Sequence, residues 1–273
     1  MAGRGRGRGR STAQTVDSSP PRPGADSAKA PIHADQKTAS PKESDLTGLK
    51  RALGSLNPKS QDELDAFATK AQTFATTDEK YSELIDYLYE RTFEDNEFAH
   101  KAAVVMNTLS LLADGGSKFR SNLLKRAQEY YKNRDSFKLE SLSRWNGLAN
   151  LICEIFKVLR IGGAPLKPLA TSVYQILREL LEGCSNPEDE EGMQLECFYT
   201  QFKNVGEILE VVDQEKMDSL MCIVRDVILS GSSTQQMRCM LTEILELKSS
   251  KWKLPKTVES FYCDAMADIL ASQ

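Results

Sequence analysis

Apolar residues in this chain return every third or fourth position, and over no stretch of comparable length every second, which confines the fold to packed helices. Leu142, Trp145, Ala149, Ile152, Phe156 and Leu159 step by 3, 4, 3, 4 and 3, and Leu195, Phe198, Phe202, Val205, Leu209 and Val212 step identically. Leu148, Leu151, Ile155 and Val158 lay a second apolar stripe on the first of these segments. A helix with two apolar stripes is expected inside the structure, covered on both sides.

Chemical punctuation sets the expected boundaries. Ser60 with Glu63, and Ser233 with Gln236, fit the capping box, in which two side chains satisfy orphan amides reciprocally. Asn186 and Pro187, followed by Glu188 to Glu191, offer a cap, a first-turn proline and negative charge against the positive end of a helix dipole. Gly115-Gly116, Gly162-Gly163 with Pro165, and Pro255 mark the other breaks. These signals predict helices over 61–75, 78–93, 96–113, 117–134, 140–160, 166–183, 190–212, 214–229, 233–248 and 257–271. Alternate starts from 78 recur 39 to 49 residues apart, close to the interval of HEAT-like helix pairs. The fold predicted is an all-α, HEAT-like α-solenoid of about five antiparallel helix pairs; a helical bundle with the same helices is the alternative.

Composition divides the chain near residue 44. Residues 1–44 hold five of the ten prolines, five of the sixteen glycines and no aromatic ring, too little apolar surface to offset ordering entropy. They are expected to be a disordered tail carrying a net charge of +4, which leaves −8 on the remainder. The folded domain is expected over 60–273.

Candidate binding residues are cationic. Arg4, Arg6, Arg8 and Arg10 alternate with glycine, so each guanidinium is free to meet a phosphate or stack on a base. The same arginines are potential methylation sites, and a purely solubilising tail is the alternative reading. Lys118, Lys125 and Lys132, seven residues apart, form one stripe on a helix opposite Phe119, Leu123 and Ala127. Such a stripe is an ordinary solvated face or, on an otherwise acidic body, a surface for RNA or an acidic partner. Trp252, between Lys251 and Lys253, is placed either to stack on a base or to pack between the last two helix pairs while the lysines reach water.

Enzymatic chemistry finds no foothold, and no catalytic residue, cofactor or metal is expected. The six cysteines make no CxxC pair, and the two histidines, His33 and His100, lie in no HExxH or CxxCH setting. Phosphate-loop, dinucleotide-loop and GxSxG signatures do not occur. Reduced thiols in the cytosol or nucleus are expected. Apolar stretches such as Ala102 to Met106 stop at five residues, where a membrane span needs about 20.

Certain strings carry a family resemblance. Phe119-Arg120 with Leu123-Leu124, Arg126, Gln128 and Tyr130, then Ile155-Phe156 with Leu159-Arg160, resemble the middle domain of eukaryotic translation initiation factor 4G. Val205-Gly206-Glu207, Met217-Asp218, Ile223 to Asp226 and Leu245 to Trp252 resemble its small adaptors, the type that binds the histone-mRNA stem-loop-binding protein and the type that binds poly(A)-binding protein. The resemblance implies a crescent of HEAT-like pairs and a non-enzymatic scaffold. Its implied partners are initiation factors such as a DEAD-box RNA helicase, or an mRNA-bound protein such as a histone stem-loop-binding protein; homodimerisation stays open. In the poly(A)-linked type a Leu-Asn start is followed by Phe seven residues after the Leu. Here Leu56-Asn57 is followed by Glu63, which favours the histone-mRNA type.

If the four tail arginines each contact a phosphate, log affinity for single-stranded RNA should fall against log salt with a slope of about −3. Deleting residues 2–10 should flatten that slope; an unchanged slope would remove the tail from RNA contact.

Overall fold

The computed structural model describes residues 46–184 and 192–272, and among them the backbone forms twelve helices and one minimal hairpin. The helices are α1 Leu46–Ser55, α2 Gln61–Phe74, α3 Asp78–Glu94, α4 Phe98–Ser110, α5 Gly116–Lys132, α6 Arg134–Glu140, α7 Leu142–Val158, α8 Lys167–Gly183, α9 Met193–Val212, α10 Gln214–Leu229, α11 Gln235–Ser249 and α12 Lys256–Ala271. Strands β1 Arg160–Ile161 and β2 Ala164–Pro165 turn the chain between α7 and α8. The expected tail, with Arg4, Arg6, Arg8 and Arg10, lies outside the described residues, as do Asn186, Pro187 and the four acidic residues after them.

Helix pairs stack in sequence order. α2, α4, α7, α9 and α11 form one row in which each member touches the next. Each takes a partner from the opposite layer: α1 on α2, α3 on α4, α5 and α6 on α7, α8 on α9, and α10 on α11, with α12 closing the end against α11. This is the HEAT-like solenoid read from the 3.6-residue period. The doubly striped helix is α7, where Trp145, Leu148, Ala149, Leu151, Ile152 and Phe156 are all sealed from solvent.

Side-chain caps start five of the helices. Ser60, Thr77, Ser141, Asp213 and Thr234 each accept a backbone N–H from the first turn, a contribution of about 1 kcal/mol apiece. Two details differ from the expected boxes. The Ser60 oxygen does accept the Glu63 N–H, but the Glu63 carboxylate accepts from the Asn57 N–H at 2.8 Å rather than reaching back to Ser60. At the second site the cap is Thr234, because the Ser233 hydroxyl is turned away to donate to the Val227 carbonyl.

Three boundaries also move. α1 precedes the expected start at 60 and sends Leu49 and Leu53 into the core. The basic segment splits at Asn133, so that α6 can bury Phe137 against Phe93 and Tyr130, with ring centroids 5.2 and 5.8 Å away. The helix expected from 190 begins at Met193, after Gly192.

After α11 the chain reverses through Lys251 and Trp252, both with positive φ, and the Trp252 N–H returns to the Leu247 carbonyl at 2.9 Å. The indole falls on α9, so the ring at the end of the fifth pair packs against the fourth, between the last two helix pairs. Its centroid is 5.2 Å from that of Phe202, and its Nε1–H donates to Glu210 Oε2 at 2.6 Å. Only glycine leaves room beneath it, since a Cβ on Gly206 would sit 2.2 Å from Trp252 Cη2. Gly206→Ala should therefore unseat the indole and cost about 1–3 kcal/mol, read as a lower melting temperature with red-shifted tryptophan emission. An unchanged melt and spectrum would contradict this packing.

Candidate functional site

The basic segment sorts its cations by partner. Arg120 reaches the Ser110 carbonyl at 3.5 Å. Arg126 grips Asp86 of α3 with two N–H groups and Glu129 at 2.8 Å, and these hydrogen bonds, Asp86 first, raise its pKa further. Arg134 and Lys138 converge on Glu179 of α8, Arg134 through Nη2 at 3.0 Å. Lys118, Lys125 and Lys132 are exposed and make no ion pair among the described residues. Phe119, Leu123 and Ala127 opposite them are buried, so the spacing argument places the three ammonium groups correctly on one outward face of α5. Lys125 and Lys132 also help lower the Glu129 carboxyl, after its hydrogen bond from Arg126.

Lys251 and Lys253 are exposed too, but they follow α11, in the fifth pair, while the stripe belongs to the third. The fold does not merge these two basic groups. Trp252 is half-buried, with its N–H committed to Glu210, and it anchors the lysines on either side. Burial opposes ionisation of Glu210, yet hydrogen bonds led by that from Trp252 hold its carboxyl below the ordinary range. Leu56, in the Leu-Asn start, is buried in the core, so the segment is structural.

A second face went unread in the sequence. Asn146, Asn150 and Glu154 recur every fourth residue on α7 and turn one polar edge toward α4 and α9. The Glu154 carboxylate, 8% exposed, accepts from His100 Nδ1 at 3.0 Å and from Asn204 Nδ2 at 2.5 Å. Asn150 Oδ1 accepts from Gln201 at 2.9 Å, and Asn146 Nδ2 donates to the Met193 carbonyl at 3.1 Å. A surface cleft of about 610 Å³ opens here, lined among others by Asn96, Glu97, His100, Asn146, Glu154 and Glu196. The buried Oδ1 atoms of Asn96 and Asn146 have no hydrogen-bond partner. Each such acceptor costs about 1–3 kcal/mol. Among the described residues no cluster of His, Cys, Asp or Glu is arranged to hold a metal ion, and no helix is long and apolar enough to cross a membrane.

A stacked helical array whose conspicuous groups are surface charges and a polar cleft defines a class of protein that presents faces to other macromolecules. The MIF4G domain family matches residues 49–251, and the chain belongs to it, the same initiation factor 4G middle-domain family that the scattered core strings resemble. Among curated relatives, the CBP80/20-dependent translation initiation factor of Xenopus tropicalis is 29% identical over 231 residues, which is 83% of this chain and 39% of the relative. MIF4G domain-containing protein B of Danio rerio is 30% identical over 194 residues, 70% of this chain and 85% of the relative. The human MIF4G domain-containing protein is 32% identical over 155 residues, 56% and 68% of the two chains. This chain thus spans well under half the length of the first of these relatives.

The Glu179 node makes an acid-stability prediction. Burial alone would raise this carboxyl, but hydrogen bonds from Arg134, Lys138 and Gln175 outweigh burial and hold it below the ordinary glutamate range. A carboxylate whose folded-state pKa is depressed contributes stability that is complete above the unfolded value, about 4.3. That contribution is lost as pH falls through the lower folded value. Glu179→Gln should cost about 2–3 kcal/mol in urea denaturation near neutrality, and the gap to wild type should narrow in acid. A gap that stayed constant with pH would show that the carboxylate charge is irrelevant.

Proposed function

We propose that this chain is a non-enzymatic adaptor in translation, linking an mRNA-bound protein to the initiation machinery by presenting helical faces rather than by making bonds. The observation that carries the reading is the MIF4G match over residues 49–251, supported by a relative whose name states that it is a translation initiation factor. The finer proposal is service to histone-type mRNAs through a stem-loop-binding protein. It rests on the resemblance to the small adaptors and on the missing aromatic anchor after Leu56. A DEAD-box helicase or related initiation factor is the proposed second partner, and the cytoplasm, with the nucleus, the proposed location.

Lys118, Lys125 and Lys132 are the contact points we assign on α5, facing an acidic partner surface. Charge on an exposed face steers encounter and sets partner choice more than it adds affinity. A second reading, direct RNA binding by the Arg-Gly tail and this stripe, is favoured by one observation: among the described residues these three cations lack the carboxylate partners that Arg126, Arg134 and Lys138 have.

Affinity capture with the full chain, before and after nuclease treatment, separates the readings. Initiation factors or an mRNA-bound protein should survive nuclease and fall several-fold when Lys118, Lys125 and Lys132 are all replaced by Glu. Loss of every translation-related partner on nuclease treatment would transfer the case to direct RNA binding. Recovery of none in either condition would refute both.

A further inference from the structure

The outer face of α5 has an order that a merely solvated face would not need. After Ser117 its exposed residues are Lys118, Ser121, Lys125, Gln128 and Lys132, stepping by 3, 4, 3 and 4. That is a single seam, with a cation at every seventh position, an uncharged polar group between, and no carboxylate among them. Neighbouring cations are held: Arg126 by Asp86 and Glu129, Arg134 and Lys138 by Glu179. Seven residues beyond Lys132, on the side of α6 opposite buried Phe137, Leu139 is 90% exposed, more than any other large apolar residue among those described. A line of unpaired charge that ends in an exposed leucine carries both the polar and the apolar half of an interface.

Spacing selects the partner's backbone. Seven residues of helix rise about 10.5 Å, so the three lysines are rooted about 10.5 Å apart and drift only about 20° per step. An extended chain does not match this period. Its side chains alternate, so carboxylates on one face lie two or four residues apart, about 7 or 13 Å. Nor does α5 offer a strand edge, since its backbone is bonded within the helix. Single-stranded RNA fits worse, because it is gripped by free aromatic platforms as well as by cations. The tyrosines of α5 are occupied: Tyr130 stacks on Tyr89 at 4.4 Å, and Tyr131 packs against the core with the Arg134 guanidinium over its ring. A second helix repeats the heptad period on one face, has its own backbone satisfied, and follows the drifting seam when crossed at about 20°.

We propose that the outer seam of α5 is the docking site for an acidic helix of a partner protein. Its carboxylates recur every seventh residue opposite Lys118, Lys125 and Lys132, and one apolar side chain a heptad further on meets Leu139. The proposal rests on the reading above that this stripe faces an acidic partner, and it adds the partner's secondary structure and register. Exposed ion pairs are individually weak, so alignment of all three, with the lysine stems and Leu139 supplying apolar contact, is what distinguishes one partner from another.

Fluorescence anisotropy at low salt, where screening is least, tests it with the full chain and two labelled alanine-based helical peptides of identical composition. One carries three glutamates seven residues apart, with a leucine a further heptad out at each end so that either direction of docking is served. The other spaces its glutamates five residues apart, which turns them onto three faces. The heptad peptide should bind about fivefold or more tightly than its isomer, given three aligned exposed pairs. Lys118→Gln with Lys125→Gln and Lys132→Gln should abolish that preference, and Leu139→Ser should weaken the heptad peptide about threefold or more. All four positions are exposed, so the variants should keep the wild-type melt. In the wild-type chain the heptad peptide should shift the backbone amide NMR signals of α5 and α6, a readout that needs no variant. Equal affinity for the two isomers, with both dependent on the lysines, would overturn the helical register and leave the acidic-partner reading of the stripe standing. Binding that ignores the lysine substitutions, or no binding of either peptide, would overturn both. An unchanged affinity in Leu139→Ser would refute the apolar contact and with it the proposed docking. A uridine oligonucleotide that binds the wild-type chain more tightly than the heptad peptide, and loses that advantage in the triple variant, would give the seam to RNA instead.

Discussion

The burial of α7 is the constraint on which the remaining structure depends. It touches α3, α4, α5, α6, α8 and α9, and its apolar side chains from Trp145 to Phe156 meet protein on both sides. In a solenoid each unit is stabilised by its neighbours, so the central helix sums more interfaces than any terminal one. α12 is the counterexample: it has one neighbour of substance, α11, and buries only Tyr262 fully. Stability is therefore expected to grade from the centre outward, and the Lys118, Lys125 and Lys132 stripe lies on the third of the five pairs.

Charge divides into two kinds of work. Carboxylates brought from other helix pairs, Asp86 and Glu179, hold Arg126, Arg134 and Lys138, while Glu243 holds Lys203 and the hydroxyl of Tyr199 between α9 and α11. These pairs tie adjacent units together. Within the basic segment, Lys118, Lys125 and Lys132 make no ion pair among the described residues, and they project from the same helix that supplies Arg126. Where α4, α7 and α9 meet, His100, Asn150, Glu154, Gln201 and Asn204 are joined by hydrogen bonds, while the Oδ1 atoms of Asn96 and Asn146 have no partner. Two faces of one array thus differ in sign as well as in position.

Much of this was legible in residue spacing, and the misses have physical causes. The 3,4 stepping identified α7 and α9, and the seven-residue spacing put three lysines on one face of α5. α1 was hidden because it is short, contains Gly48 and Gly54, and draws its stability from α2. The break at Asn133 has no proline or glycine to announce it; burying Phe137 against Phe93 and Tyr130 is a tertiary gain. Thr234 displaced Ser233 as cap because the Val227 carbonyl, six residues back, claims the serine. Which cations stay free could not be read locally, since Asp86 and Glu179 lie 40 or more residues from their partners. The polar edge Asn146, Asn150, Glu154 was visible as a fourfold spacing, but on a helix so apolar that its significance emerged only with α4 and α9 beside it.

Native-state amide hydrogen exchange on the full chain tests the central claim most directly, because it reports local opening free energies along the stack. The slowest exchange should fall on α7 and the α9 segment packed against it, with α1 and α12 opening well before them. Equal protection across all helices, or an α7 that exchanges as fast as α12, would contradict an array organised around one buried helix.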